Sequence, residues 1–180
     1  MMHELSMVGI YEPKLSTQDV ESIRVRLNFD HVVSNPSRDV WVFFSLPFSS
    51  VVVGDSDQHL SISFGHPQCL CPFNVSFVHA KCTAVKRRWL WHALLRDKPC
   101  QESWYIVGDF NFILSANEKR GGRLFQPSQG LELTHFVGET GVFDARFSRP
   151  SFTWCNNRSG RARIWKRLDR VLINMACLNA

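Results

Sequence analysis

Residues 104 to 111, Trp-Tyr-Ile-Val-Gly-Asp-Phe-Asn, end an apolar run on a carboxylate and an amide. Trp104 to Val107 reads as a short buried strand that stops at Gly108-Asp109. Alternation along an extended chain would turn Asp109 and Asn111 to the same side, at the strand edge where layered folds commonly seat ligands. Two oxygen-bearing groups there suit the positioning of a water and of a hard cation. Magnesium takes one or two carboxylates and leaves its other positions to water and phosphate. The competing reading is an Asx-type turn, in which the carboxylate caps its own backbone.

Asp169 is a second candidate, flanked by Lys166, Arg167 and Arg170. It is either a surface ion pair, which contributes little to stability, or a carboxylate that orients an imidazole, as in many hydrolytic sites. Between Ala145 and Arg170, the cations Arg146, Arg149, Arg158, Arg161, Arg163, Lys166, Arg167 and Arg170 face Asp169 as the lone acid. With Phe152, Trp154 and Trp165 interleaved, this stretch is either a phosphate-backbone surface or a solvated hairpin that keeps the chain soluble. A net charge of +5 favours an anionic partner. His66-x-x-Cys69-x-Cys71 departs from the spacing of zinc ligands, and its cysteines read as ordinary thiols. Trp89 and Trp91 read as core plus edge, Gly121-Gly122 as a turn, and Lys86-Arg87-Arg88 as a solvated helix face.

These residues must be positioned by a layered domain. Ser16 and Asp19 have capping-box spacing ahead of Val20, Ile23 and Leu27, which predicts a helix from Thr17 to Leu27. Strands are expected over Val40–Leu46, Ser50–Val53, His59–Phe64 and Phe73–Ala80. Helices are expected over Thr83–Arg96, with Val85, Trp89, Leu90, Ala93 and Leu94 on its apolar face, and over Ser128–Val137, the latter leaving at Gly141. Phe152-Thr153-Trp154 and Ile164–Ile173 read as two strands of one hairpin. The alternation of strands and helices predicts one α/β or α+β domain without internal repeats. Of the 180 residues, 44% are hydrophobic and 21% charged, which excludes a disordered chain. No apolar run approaches the roughly 20 residues of a membrane span. There is no secretory pattern, so the six cysteines are expected to be reduced thiols of an intracellular protein.

Six segments occur in a telling order: Tyr11-Glu-Pro-Lys14, Phe77-Val-His-Ala-Lys-Cys82, Trp104–Asn111, Glu118-Lys-Arg-Gly-Gly122, Ser151-Phe-Thr-Trp-Cys-Asn156 and Lys166-Arg-Leu-Asp-Arg-Val-Leu-Ile173. Together they resemble the endonuclease/exonuclease/phosphatase superfamily, which is deoxyribonuclease I-like. Within it they are most similar to the endonuclease domain of plant LINE-type retrotransposon polyproteins.

The resemblance implies a four-layer α/β sandwich and metal-assisted hydrolysis of a phosphodiester. Glu12 matches the metal-binding glutamate, Asp109 the general base, Asn111 its positioning partner, and Asp169 the aspartate that holds a catalytic histidine. His79 stands where a tyrosine usually contacts the phosphate. The expected cofactor is Mg2+, with Mn2+ as a substitute, and no organic cofactor is needed. The expected partner is the DNA backbone, met by Arg158, Arg161, Arg163, Lys166 and Arg167, with no membrane involved and a nuclear location.

The family begins with a strand in a Trp-Asn pattern and ends with one carrying Ser-Asp-His. Neither is found in these residues, and none of the seven histidines lies beyond His135. The expectation is therefore an incomplete domain, with unpaired sheet edges and little or no activity. The alternatives are a non-catalytic nucleic-acid-binding remnant, built on the Arg-rich region 146–170, and a small-molecule phosphatase of the same superfamily.

Overall fold

The strand Val40–Phe44 is buried along its whole length, which requires cover on both faces. Val40, Val42 and Phe44 point one way, into a cluster with Leu60, Ile62, Phe64, Val75 and Phe77. Trp41 and Phe43 point the other way, onto Phe29, Val20 and Ile23. One strand with two cores thus defines three of four layers. The computed structural model describes residues 5–14, 19–145 and 151–179.

In chain order the elements are β1 (Met7–Tyr11), α1 (Asp19–Arg26), β2 (His31–Ser34), β3 (Val40–Phe44), β4 (Ser49–Ser56), β5 (His59–Gly65), β6 (Phe73–His79), α2 (Ala84–Asp97), β7 (Trp104–Asp109), β8 (Lys119–Arg120), α3 (Leu131–Thr140), β9 (Phe143–Asp144), β10 (Trp154–Cys155), β11 (Trp165–Lys166) and β12 (Asp169–Ile173). A three-stranded sheet, β1-β3-β2, packs on a six-stranded sheet, β4-β5-β6-β7-β12-β9. Helix α1 covers the outside of the small sheet. Helices α2 and α3 cover the outside of the large one through Leu90, Trp91, Leu94, Leu133 and Phe136. The expected four-layer α/β sandwich is the observed architecture.

Most of the large sheet is antiparallel, but β6 and β7 run parallel, and α2 is the crossover such a pair requires. Trp91 anchors that helix, with its ring centroid 5.0 Å from Phe136, 5.9 Å from Phe112 and 6.3 Å from Phe110. At its far end Asp97 is buried; His59 donates from Nε2 to its carboxylate at 2.7 Å.

Several expectations are corrected. Ile164–Ile173 is not one strand: Trp165–Lys166 pairs with Trp154–Cys155 and with Lys119–Arg120 in a separate small sheet. The chain then crosses at Leu168, and β12 enters the large sheet between β7 and β9. Arg87 does not belong to a solvated face. It turns inward, donates to the carbonyls of Lys81 and Cys82 at 3.1 and 2.8 Å, and pairs with Glu132 at 3.1 Å. The third helix starts at Leu131, after a single 3-10 turn over Pro127–Gln129. Gly141 closes it in the left-handed conformation, with φ 72°. The expected cap at Ser16, together with Arg146 and Arg149, lies outside the described residues.

Candidate active site

Three neighbouring strands carry polar residues in one row. His79 on β6 is the cross-strand partner of Asp109 on β7, and Asp109 is that of Asp169 on β12. By alternation they follow Val75, Phe77, Tyr105 and Val107, all of which face the small sheet. The row therefore continues the inter-sheet face beyond its apolar part, at the rim of the sandwich. Strand β1 of the opposite sheet ends at the same rim and delivers Tyr11 and Glu12.

The Tyr11 hydroxyl donates to the Val107 carbonyl at 3.1 Å. Glu12 follows in the left-handed region, with φ 46°, and its N–H bonds the Asp39 carbonyl at 2.8 Å. Such a conformation costs a non-glycine residue on the order of 1 kcal/mol. It brings Glu12 Oε1 to 3.7 Å from His79 Nε2. The other ring nitrogen of His79 is buried without a hydrogen-bond partner.

The Gly108-Asp109 pair is fixed by sterics. Gly108 has φ 138°, and a Cβ there would stand 2.0 Å from the Val78 carbonyl oxygen and 3.0 Å from the Tyr11 hydroxyl. Asn111 departs from the alternation expected of it, because the strand ends at Asp109 and Asn111 turns left-handed, with φ 53°. Its N–H donates to Asp109 Oδ1 at 2.7 Å, and its side-chain amide donates to the Ala80 carbonyl at 2.8 Å. The Asx turn thus forms, and it also ties the ends of β6 and β7 together. One carboxylate oxygen of Asp109 is fixed by it, leaving the second for a water.

Burial raises the pKa of Asp109, and the charges of Asp169 and Glu12 push it the same way; the Asn111 N–H and His79 oppose them. Burial first, then Asp169 and Asp109, push the Tyr11 phenol far above its ordinary value, so it stays protonated. Among the described residues no group of three or more His, Cys, Asp or Glu side chains could hold a metal ion. The rim nonetheless fits magnesium, which needs only one or two carboxylates and completes its shell with water and phosphate. The charges of Asp169 and Glu12 beside Asp109 are an imbalance of the kind a cation offsets. Glu12, with a side chain 58% exposed, is the carboxylate of the rim open to such an ion.

The basic region divides in two. Arg158, Arg161 and Arg163 are exposed on the β10–β11 arm. Arg161, Arg163, Arg120, Phe152 and Trp165 line a groove of about 990 Å3. Lys166 lies beside them, with Nζ 5.5 Å from the Trp154 ring.

Arg167 does not share that surface, which corrects the expectation for it. Its side chain is buried, 2.6 Å from Asp144 and 3.2 Å from Glu118. Arg170 is fully buried against the same two carboxylates, 2.9 Å from Asp144 and with a second contact to Glu118. Burial would raise the Glu118 pKa, but the hydrogen bond from Arg170 and those from the Leu114 N–H and Arg167 hold it below the ordinary value. The guanidinium turns inward because two carboxylates, brought from β9 and from the loop before β8, would otherwise be left unpaired.

Three contributors escaped the reading of the sequence. Tyr11 immediately precedes Glu12, and an aromatic hydroxyl at that place was the available signal. Gly108 appeared only as the end of a strand. Thr153 accepts hydrogen bonds from the N–H groups of Leu168 and Asp169, at 3.0 and 3.1 Å, and so sets the entry of β12. Nothing in the sequence distinguishes it from an ordinary strand threonine.

No protein-family model matches the chain, and no curated protein resembles it in sequence. Its fold, by contrast, is shared with solved structures. The endonuclease domain of TRAS1, a telomere-specific non-LTR retrotransposon, superposes with a TM-score of 0.66 at 11% identity, over 97% of this chain and 88% of that one. The human Nocturnin catalytic domain with bound sulfate gives 0.59 at 14% identity, over 94% and 69%. An endonuclease/exonuclease/phosphatase family protein from Bacteroides thetaiotaomicron gives 0.58 at 12% identity, over 95% and 69%. The chain therefore has the deoxyribonuclease I-like α+β fold of endonuclease/exonuclease/phosphatase proteins, with His79, Asp109, Asp169 and Glu12 gathered at one rim of its sandwich.

Proposed function

We propose that the chain is a phosphodiesterase domain acting on DNA, of the kind carried by LINE-type retrotransposons, and that these 180 residues alone turn over slowly. The observation that carries this is the register of His79, Asp109 and Asp169 across three strands, with Glu12 3.7 Å from His79 at the same rim. Asp109 is the general base. Its Oδ1 is held by the Asn111 N–H, its free oxygen takes the proton of the attacking water, and its raised pKa makes it a better base near neutral pH. His79 donates toward the phosphate from Nε2 in place of a tyrosine hydroxyl. A magnesium or manganese ion held by Glu12 would supply charge neutralisation at the phosphoryl oxygens.

The slow turnover follows from Asp169. Among the described residues no imidazole is hydrogen-bonded to it, and His79 stands two strands away in the register. Loss of one preorganised donor to a developing negative charge costs on the order of 100- to 1,000-fold in rate. The test is nicking of supercoiled plasmid with Mg2+ or with EDTA, at enzyme in excess over DNA. Slow, metal-dependent nicking that disappears in Asp109→Ala is expected. Nicking that persists in Asp109→Ala would refute the site, and rapid nicking of the whole plasmid pool would refute the role given to Asp169.

A second reading has its own support in the basic groove around Arg161 and Arg163. In that reading the chain binds nucleic acid without cutting it. Absence of nicking, together with salt-sensitive DNA binding that survives Asp109→Ala, would select it.

A further inference from the structure

Helix α2 presents a second surface that the rim does not use. Its inner face is locked: Leu90 and Leu94 are fully buried and Trp91 nearly so. On the opposite face Val85 and Trp89, one turn apart, are 68% and 74% exposed. His92 and Arg96 continue this stripe at helical spacing, with Arg88 along one border and Lys86 along the other. The helix has a single carboxylate, Asp97, which is buried and engaged by His59 and Arg96. Lys86 and Arg88 have no anionic partner among the described residues. A large indole at this exposure, on a helix pinned from behind, is not a core residue awaiting a better fit.

We infer that this face docks an acidic protein segment, one whose apolar ridge covers Val85 and Trp89 and whose Asp or Glu side chains meet Lys86 and Arg88. The charge decides the partner's sign, since the face carries cations and no free carboxylate. The shape decides its class. Anchors at positions i and i+4 are what one helix offers to another helix or to a groove, and tryptophan with arginine is the pairing enriched where binding energy concentrates. A nucleic acid is the weaker fit, because strand-tracking surfaces set their aromatic rings in a basic groove. Here the ring stands on a convex helix with two unpaired cations beside it.

The surface lies outside the proposed catalytic rim, so its test is independent of that function. A random 16-residue peptide library displayed on phage is panned against the immobilised 180-residue chain. Enrichment of acidic peptides with apolar residues at i and i+4 is expected. A synthetic peptide of the enriched sequence should bind Trp89→Ala and Arg88→Glu at least tenfold more weakly, and should bind more weakly at 0.5 M salt. Both variants should keep the wild-type melting temperature, because both residues are exposed. Three results would overturn the inference: no acidic enrichment, equal affinity for wild type and both variants, or a single-stranded oligonucleotide that loses affinity for Trp89→Ala where the peptide does not.

Discussion

Replacing Asp109 by Asn should disable the proposed chemistry and stabilise the fold. The amide keeps the carboxylate's shape and can still accept the Asn111 N–H through its oxygen. It removes a negative charge that burial, Asp169 and Glu12 all disfavour. A carboxyl whose pKa is higher in the native state than in the unfolded chain contributes stability below the unfolded value and loses it as pH rises through the folded value. At neutral pH the ionised Asp109 is therefore a cost. Like charges directly opposite in a sheet cost about 0.2 to 1 kcal/mol, so Asp109→Asn should melt up to about 4 °C above wild type at pH 7.5. The gap should close as pH falls through the folded pKa of Asp109, where wild type takes up a proton at this carboxyl.

Magnesium gives the second arm of this experiment. For an assumed Kd of about 1 mM, 10 mM MgCl2 adds about 1.4 kcal/mol to wild type, or about 3 to 6 °C. That shift should shrink in Asp109→Asn and vanish in Glu12→Gln. Melting curves from pH 4 to 8, with and without MgCl2, read both effects. A variant that melts below wild type at pH 7.5 would refute the electrostatic argument. Equal magnesium shifts in wild type and Glu12→Gln would refute the cation site.

Other outcomes follow from single contacts. Gly108→Ala should cost about 3 kcal/mol, because its Cβ would press on the Val78 carbonyl oxygen of the neighbouring strand and hold an unfavourable φ; urea denaturation measures this. Glu118→Gln should cost about 3 to 5 kcal/mol at pH 7 by leaving Arg167 and Arg170 poorly paired. The Glu118 pKa is lowered in the fold, so its contribution is present above the unfolded value and lost as pH falls through the folded one. The two urea midpoints should accordingly converge in acid. Arg161→Glu with Arg163→Glu should weaken DNA binding and reduce its salt slope by about 2. Arg167→Gln should lower stability while leaving that slope unchanged, as fluorescence anisotropy at several salt concentrations would show.

The sequence by itself determined what neighbouring residues decide among themselves. The period of Leu90, Ala93 and Leu94 marked α2 and its buried face, but the same pattern put Val85 and Trp89 on that face, and both are exposed while Trp91 takes the core. Short Val- and Phe-rich runs between turn formers marked β3, β5 and β6, and Gly141 marked the exit of α3. The turn chemistry of Gly-Asp-x-Asn was legible too, including the Asx turn as the alternative to alternation. Each of these rests on local sterics or on a hydrophobic period of 2 or 3.6 residues, which the chain carries wherever it is placed.

Tertiary structure alone decided which distant groups meet. Arg167 and Arg163 are both arginines of one basic stretch, yet one is buried and the other exposed. The difference is that Glu118 and Asp144 arrive from elsewhere in the chain to receive the first. Ile164–Ile173 read as one strand because its pattern is continuous; the break at Leu168 exists because β12 must pair with β7 while β11 pairs with β8. Likewise, Tyr11 and Glu12 gained their place under Asp109 and Asp169 only when two sheets stacked. Burial and the nearness of unlike charges are properties of the packed layers, so no local pattern could encode them.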